Sequence, residues 1–250
     1  MARTLFGSIR SGGDYASWAD AVAACSGYSA PEILERVKSS ALLVKNGGAA
    51  YEQNGQVFAE RSYEWPVLAC LLRVARAQGL HVLDFGGSLG SHYYRHRSFL
   101  SDLSRFHWSV VEQPGFVKVG QELFQDEQLR FFSDVQSCIA WSRPDVCLLS
   151  CVIHYLPAPY EFLADLITHD LPFLLFDRVP FANSDRDRLC VQRVGKPNYP
   201  GSYPAWLLSR SRFLSVVQGR YRLLEDFDNP EGMNLPGKCR GMLFVRSERP

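Results

Sequence analysis

At 250 residues, with 46% hydrophobic and 13% aromatic content, the chain can bury a sizeable core, and no composition break marks a second independent domain. Its 27 basic and 26 acidic residues nearly cancel to a formal net charge of +1, and no long basic run appears, which argues against nucleic acid as a partner. The N-terminus lacks the basic-then-apolar pattern of a secretory signal, and no apolar run reaches the roughly 18 residues that cross a bilayer, so no membrane partner and a cytoplasmic location are expected.

In chain order, Tyr15 to Gly79 reads as helical. Tyr15-Ala16-Ser17-Trp18-Ala19-Asp20-Ala21-Val22 carries apolar residues at helical spacing, and Ser29-Ala30-Pro31 offers a cap and a first-turn proline for the next helix. Asn46-Gly47-Gly48 and Asn54-Gly55 then break the pattern around Tyr51-Glu52, and a longer helix is expected over Ser62 to Gln78. Residues 1–79 are thus read as an N-terminal helical cap on a domain spanning 80–250, the two forming one compact unit.

The stretch His81-Val82-Leu83-Asp84-Phe85-Gly86-Gly87-Ser88-Leu89-Gly90 is an apolar run that ends in an acid and a glycine-rich turn, which is how a parallel strand hands over to a ligand-cradling helix. Gly86, Gly87 and Gly90 allow a sharp turn and a close approach to a ligand, but their spacing differs from the Gly-x-Gly-x-x-Gly that suits a pyrophosphate. Phe106 to Glu112 is a second apolar run closing in an acid, placed to reach ribose hydroxyls, and Leu129 to Asp134 is a third, whose carboxylate can meet an adenine amino group. Pro144 to Ser150 and Pro172 to Asp177 read as two further buried strands. Strands alternating with helix-sized segments predict a parallel α/β sheet with its ligand beyond the carboxyl ends of the strands.

Proline and glycine density between Phe181 and Pro204 excludes one long helix and predicts an insertion with its own short strand or hairpin, placed to act as a lid. An amphipathic helix over Trp206 to Gly219 and strands over Tyr221 to Phe227 and Gly241 to Arg246 complete the pattern.

On these residues the chain resembles a class I S-adenosylmethionine (SAM)-dependent methyltransferase. More narrowly, Ser17-Trp18, Gly27-Tyr28, Tyr51-Glu52, Asp84-Phe85-Gly86-Gly87, Asp177-Arg178-Val179-Pro180 and Tyr203-Pro204-Ala205-Trp206 make it similar to a methyltransferase-like family of bacterial surface-polysaccharide and natural-product gene clusters. The resemblance implies a Rossmann-like seven-stranded sheet with an antiparallel final strand. It also implies SAM held by Asp84, Phe85, Gly86, Gly87, Ser88, Gly90, Glu112, Gln113, Asp134, Val135, Ser150 and Cys151. Ser88 departs from the glycine common at that place in the family and adds a hydroxyl near the methionine end.

Chemistry is expected in the loops after the fourth and fifth strands. His154 is either a general base or a packed residue, and Asp177 either orients an acceptor or pairs structurally with Arg178. Tyr155 and Tyr203 complete the catalytic candidates, with Tyr51, Tyr93, Arg178, Gln192 and Tyr199 on the acceptor or lid side. No metal site is expected, because the seven cysteines form no Cys-x-x-Cys pair and the histidines make no ligand-spaced cluster with them. Reduced, buried thiols are expected instead, with Cys151 a poor candidate nucleophile. Three readings stay open: methyl transfer to a small-molecule acceptor, cyclisation of SAM itself to azetidine-2-carboxylate with release of methylthioadenosine, and a non-catalytic cofactor-binding partner. A homodimer is compatible with each.

Overall fold

The computed structural model describes residues 9–25, 30–75, 79–195 and 201–247. Gly27, Tyr28, Ser29 and the lid candidate Tyr199 lie outside the described residues. The elements in order are β1 (Ile9–Gly12), α1 (Trp18–Ala23), α2 (Ala30–Lys45), β2 (Tyr51–Gln53), β3 (Gln56–Phe58), α3 (Trp65–Val74), β4 (Leu80–Phe85), α4 (Ser91–Leu100), β5 (Phe106–Val111), α5 (Pro114–Leu123), β6 (Leu129–Phe132), α6 (Val135–Trp141) and β7 (Val146–Ser150). After them come α7 (Pro159–Leu166), β8 (Phe173–Ala182), β9 (Arg188–Val194), β10 (Gly201–Leu207), α8 (Arg210–Val217), β11 (Tyr221–Asp228) and β12 (Gly237–Arg246), with 3-10 turns at Ile153–Tyr155 and Ile167–His169.

A seven-stranded sheet takes the order β11-β12-β8-β7-β4-β5-β6. Its β4–β5, β4–β7 and β5–β6 pairs are parallel and its β11–β12 pair is antiparallel. This is the Rossmann-like seven-stranded sheet, with an antiparallel final strand, that the resemblance implies. Among the described residues no helix is long and apolar enough to cross a membrane.

Two compact units make up the chain. The first comprises Ala30–Ser150 and Leu171–Leu175. Within it β7 is buried along its whole length and β4 along all but its last residue, as strands covered on both faces must be. Register fixes where the site lies. Phe85 stands opposite Val111 and Val111 opposite Phe132, so the chain leaves β4, β5 and β6 at one level, with Gly86, Glu112 and Ser133 emerging side by side at the carboxyl edge. Helix caps then start the next elements: Gly90, left-handed at φ 87°, opens α4, and the Asp134 carboxylate caps α6 by accepting the Ser137 N–H at 2.7 Å.

The expected helical preface contains a β-hairpin. Asn54 and Gly55 both take positive φ, 52° and 68°, in the two-residue turn that joins β2 to β3, and Tyr51 stacks on Phe58 across the pair at 4.5 Å. An Asn-Gly pair in a short loop is a hairpin signal in its own right, and here it outweighs the surrounding helical pattern.

The second unit comprises the first described residues, up to Cys25, with Cys151–Asp170 and the chain from Phe176 onward. It contains a three-stranded sheet of order β1-β9-β10, antiparallel throughout, so β9 and β10, in the stretch after β8, pair as the arms of the expected hairpin would. Alternation along β9 sorts its side chains: Leu189 and Val191 pack with Ala21 of α1, and Cys190 packs on the other side with Ala205 and Leu207. The Ser17 hydroxyl accepts the Asp20 N–H to cap α1, and Trp18 stacks on Trp206 at 6.3 Å. The helix expected from Trp206 starts only at Arg210. Tyr203 to Leu207 pair with β9 instead, and the Ser209 hydroxyl caps α8 by accepting the Arg212 N–H. Strand β8 outruns its expected end at Asp177, continuing to Ala182 through Arg178, which holds a positive φ of 54°.

Helix α5 meets β6 at Gly120, where a Cβ would overlap the buried Phe131 ring. Gly120→Ala should therefore destabilise the protein by about 1–3 kcal/mol, despite alanine's better helix propensity. Denaturant unfolding checks this, and a variant as stable as the wild type would show that the α5–β6 contact yields easily.

Candidate functional site

In the first unit the glycine turn is built around Asp84. Its carboxylate is buried at 1% exposure and accepts the Trp108 indole N–H at 3.0 Å, tying β4 to β5. The backbone folds back over this acid so closely that a Cβ on residue 87 would lie 2.5 Å from the Asp84 carboxyl carbon. Positive φ at Gly86 (73°), Ser88 (56°) and Gly90 (87°) makes the turn. Asp84, expected among the cofactor contacts, thus faces inward and shapes the loop rather than its outer surface, and Phe85 beside it is half-buried.

Glu112 stands where the sequence places a ribose-binding acid, directly after β5. Its carboxylate accepts the Gln113 N–H at 2.6 Å and the Ser88 N–H, so acid and glycine turn are joined. Burial pushes its pKa above the ordinary glutamate value against the pull of those two amides, and the nearby Asp84 adds to the rise. Gln113 itself is exposed at the start of α5. These features fit a ribose diol: a carboxylate oriented by backbone amides, at a sheet edge, beside a glycine-rich turn.

Asp134 departs from its expected role. β6 does lie beside β5, but the exposed carboxylate is taken up as the α6 cap, accepting from the Ser137 N–H and the Ser133 hydroxyl at 3.0 Å, and these bonds hold its pKa below the usual range. Val135 is the first residue of α6, and Ser150 is buried at the end of β7. Two acceptor-side candidates are corrected. Tyr93 is buried, stacked on Phe106 with its hydroxyl donating to Gln128 at 3.2 Å, so it is core. Tyr51 is closed off by Phe58 and by the Arg95 guanidinium, 4.3 Å from its ring centre.

The expectation of no metal site rests on the histidines forming no ligand-spaced cluster with the cysteines, a ground that leaves carboxylate–histidine groups aside. Glu64, His92 and His96 bring one potential ligand atom each to within 4.8 Å of one another. The available signal is the interval of four between the histidines on one helix.

The second unit gathers most of the remaining candidates. Cys151 turns sharply at φ 53°, with its N–H donating to the Asp177 carbonyl at 3.0 Å, and its sulfur lies 4.0 Å from His154 Nε2. The Tyr155 hydroxyl donates to Gln192 Oε1 at 2.8 Å, the Tyr155 ring meets Tyr203 edge-on at 5.1 Å, and Gln192 stands opposite Tyr203 in the β9–β10 register. Asp177 accepts from Arg178 Nε at 3.0 Å and from Asn229 Nδ2 at 3.2 Å, while Arg178 also reaches Glu231 at 3.4 Å. Asn229 and Glu231 carry no sequence signal that links them to Asp177, more than fifty positions upstream.

Electrostatics in this cluster favour neutral forms. Burial, aided by the Arg178 charge, pulls the His154 pKa down to about 3. Burial likewise pushes the Cys151 thiol up to about 12 and the Tyr155 phenol well above its ordinary value. His154 Nδ1 has no hydrogen-bond partner among the described residues, and no carboxylate among them lies in contact to raise its basicity. The geometry supports the packed reading of His154 over the base, and a thiolate at Cys151 is disfavoured.

No protein-family model matches the sequence, and no curated protein matches it. Solved structures do match in fold. The N-terminal domain of EvdMO1, solved in the presence of SAH and D-fucose, aligns with 88% of this chain and 98% of its own at 14% identity and a TM-score of 0.52. Its form with SAH bound aligns with the same shares at 13% identity and the same score. A protein from Listeria monocytogenes assigned as an S-adenosylmethionine-dependent methyltransferase aligns with 74% of this chain and 98% of its own at 10% identity and a TM-score of 0.50. At these identities the likeness is one of architecture: the chain has the Rossmann-like fold of class I methyltransferases.

Proposed function

We propose that this chain is a SAM-dependent methyltransferase that binds its cofactor at the carboxyl edge of β4, β5 and β6 and acts on a small-molecule acceptor. The observation that carries this reading is the joined pair of glycine turn and Glu112, in which the amides of Ser88 and Gln113 orient one carboxylate at the sheet edge. The fold neighbour solved with SAH supports the choice of nucleoside. Resemblance to the family of bacterial polysaccharide and natural-product clusters supports a small acceptor.

When bound, SAM supplies an electrophilic methyl group on a sulfonium, which needs no Lewis acid. Glu112 is positioned to take the ribose hydroxyls, and the Gly86–Gly90 turn admits the cofactor backbone-first. In the second unit His154, Cys151 and Tyr155 are all held neutral, so none of them takes a proton readily near pH 7. On this reading the acceptor is one that is nucleophilic without giving up a proton to the protein, which contributes position and exclusion of water. Within the second unit Tyr155, Gln192 and Tyr203 form one set, joined by a hydrogen-bonded amide and an edge-on ring pair.

Two outcomes test this. Glu112→Gln removes a half-buried charge whose raised pKa costs the fold stability at neutral pH, a deficit complete above that pKa and relieved as pH falls through it. The variant should melt no lower than the wild type, yet bind SAM about tenfold more weakly or worse by calorimetry, about 1.4 kcal/mol. Unchanged affinity would remove Glu112 from the site. Mass spectrometry of the product is the complementary measurement, since methylthioadenosine in place of S-adenosylhomocysteine would overturn methyl transfer.

His154 gives the second outcome. Its folded pKa of about 3 lies below the unfolded value, so the unfolded chain alone gains a proton as pH falls below about 6.5. Stability present near neutrality is then lost toward acid, by about 2 kcal/mol at about pH 5. His154→Gln should remove that share of the acid limb and leave the share that buried His81, held at about 4, still contributes. A ring resonance titrating near its ordinary value would instead restore His154 as a base.

A further inference from the structure

We propose that Glu64, His92 and His96 form a binding site for a divalent transition-metal ion of the zinc class. The site lies wholly within the first unit and is independent of the SAM reading. Its geometry starts from helix α4, where His92 and His96 sit one turn apart with rings nearly parallel at 11° and centroids 6.1 Å apart. Two imidazoles four residues apart on one helix face present nitrogens to a common point, the arrangement by which helical histidine pairs grip an ion.

Glu64 supplies the third ligand from another element. It is the N-cap residue of α3, yet its side chain makes no capping bond there. Its Oε2 is turned instead to α4, 2.9 Å from His92 Nδ1 and 3.4 Å from His96 Nε2. In a tetrahedral site with bonds of about 2.0–2.1 Å, neighbouring ligand atoms stand about 3.3 Å apart. The two observed separations bracket that value, while 3.4 Å is long for a hydrogen bond to a neutral ring.

The other carboxylate oxygen is already committed. Arg95 NH1 lies 2.9 Å from Glu64 Oε1, and Arg95 is itself fixed by its Nε donating to the Ser62 carbonyl at 2.7 Å and by the Tyr51 ring. An outer partner of this kind orients a ligating carboxylate and leaves it monodentate. His96 is fully buried, whereas the Glu64 side chain keeps 17% exposure, so water can reach a fourth position. Two nitrogens and one oxygen favour zinc, cobalt, nickel or copper over calcium or magnesium, which prefer all-oxygen shells. A bound ion would tie the start of α3 to α4, the helix that begins at the glycine turn.

The test uses the full chain, stripped with chelator and titrated with Zn2+ or Co2+ alone. Expected results are one equivalent bound by calorimetry, a raised melting temperature, and a visible Co2+ spectrum of four-coordinate type without thiolate charge-transfer bands. His92→Gln and Glu64→Gln, each verified as folded by circular dichroism, should weaken binding about tenfold or more. Absence of binding to the wild type overturns the proposal without recourse to any variant. Equal affinity in both folded variants, or a thiolate band that moves the ion to a cysteine, does so as well.

Discussion

A Cβ at position 87 would meet the Asp84 carboxylate at 2.5 Å, so the chain can fold back over that buried acid only through glycine. Much of the first unit depends on this closure. Asp84 is anchored by the Trp108 indole, which fixes the ends of two parallel strands to each other. With the acid fixed, the turn passes through three positive φ angles, sends the Ser88 N–H toward Glu112 and starts α4 at Gly90. Helix α4 then carries His92 and His96 toward Glu64. A larger residue at 87 would lose the turn, the orientation of Glu112 and the heading of α4 together, since all three rest on the same close-packed contact.

The second unit follows a different logic. Its polar residues are buried among aromatic rings and backbone, and burial is met by keeping protons in place: the thiol and phenol stay protonated, and the imidazole stays neutral. Asp177, Arg178 and Glu231 carry the charge of the cluster, and they carry it as a bonded set. Such a network gains rigidity from satisfied hydrogen bonds and loses it when one partner goes. It is a rigid network rather than one poised to move protons.

How legible the molecule is in its sequence depends on whether a feature is local. Parallel strands buried on both faces are continuous apolar runs, so β4 through β8 can be placed within a few residues, and Phe85, Val111 and Phe132 fall in register as the strand-end acids imply. The meeting of Tyr155, Gln192 and Tyr203 is not legible in the sequence, because an expected hairpin fixes neither the register that sets Gln192 opposite Tyr203 nor the approach of Tyr155 from another segment. Strand β1 is invisible, being held by pairing with β9 roughly 180 positions away, a contact that no local pattern encodes. Asp134 and Tyr93 mislead for another reason: an acid after a strand is equally a helix cap, and a tyrosine on an amphipathic helix is equally core.

The histidines show how little residue type fixes by itself. His81 in β4 meets the Ser109 hydroxyl and aromatic edges, and burial brings it down to about 4. His154 meets a thiol and a tyrosine ring, with a guanidinium charge nearby, and is neutral for the same cause. His92 and His96 are buried too, but a carboxylate faces both, so their lone pairs and protons have an anionic partner at the same point in space. Burial alone makes a histidine inert. Burial beside a shared carboxylate makes a pair of them a ligand set, and the difference comes from Glu64, which reaches across from another helix.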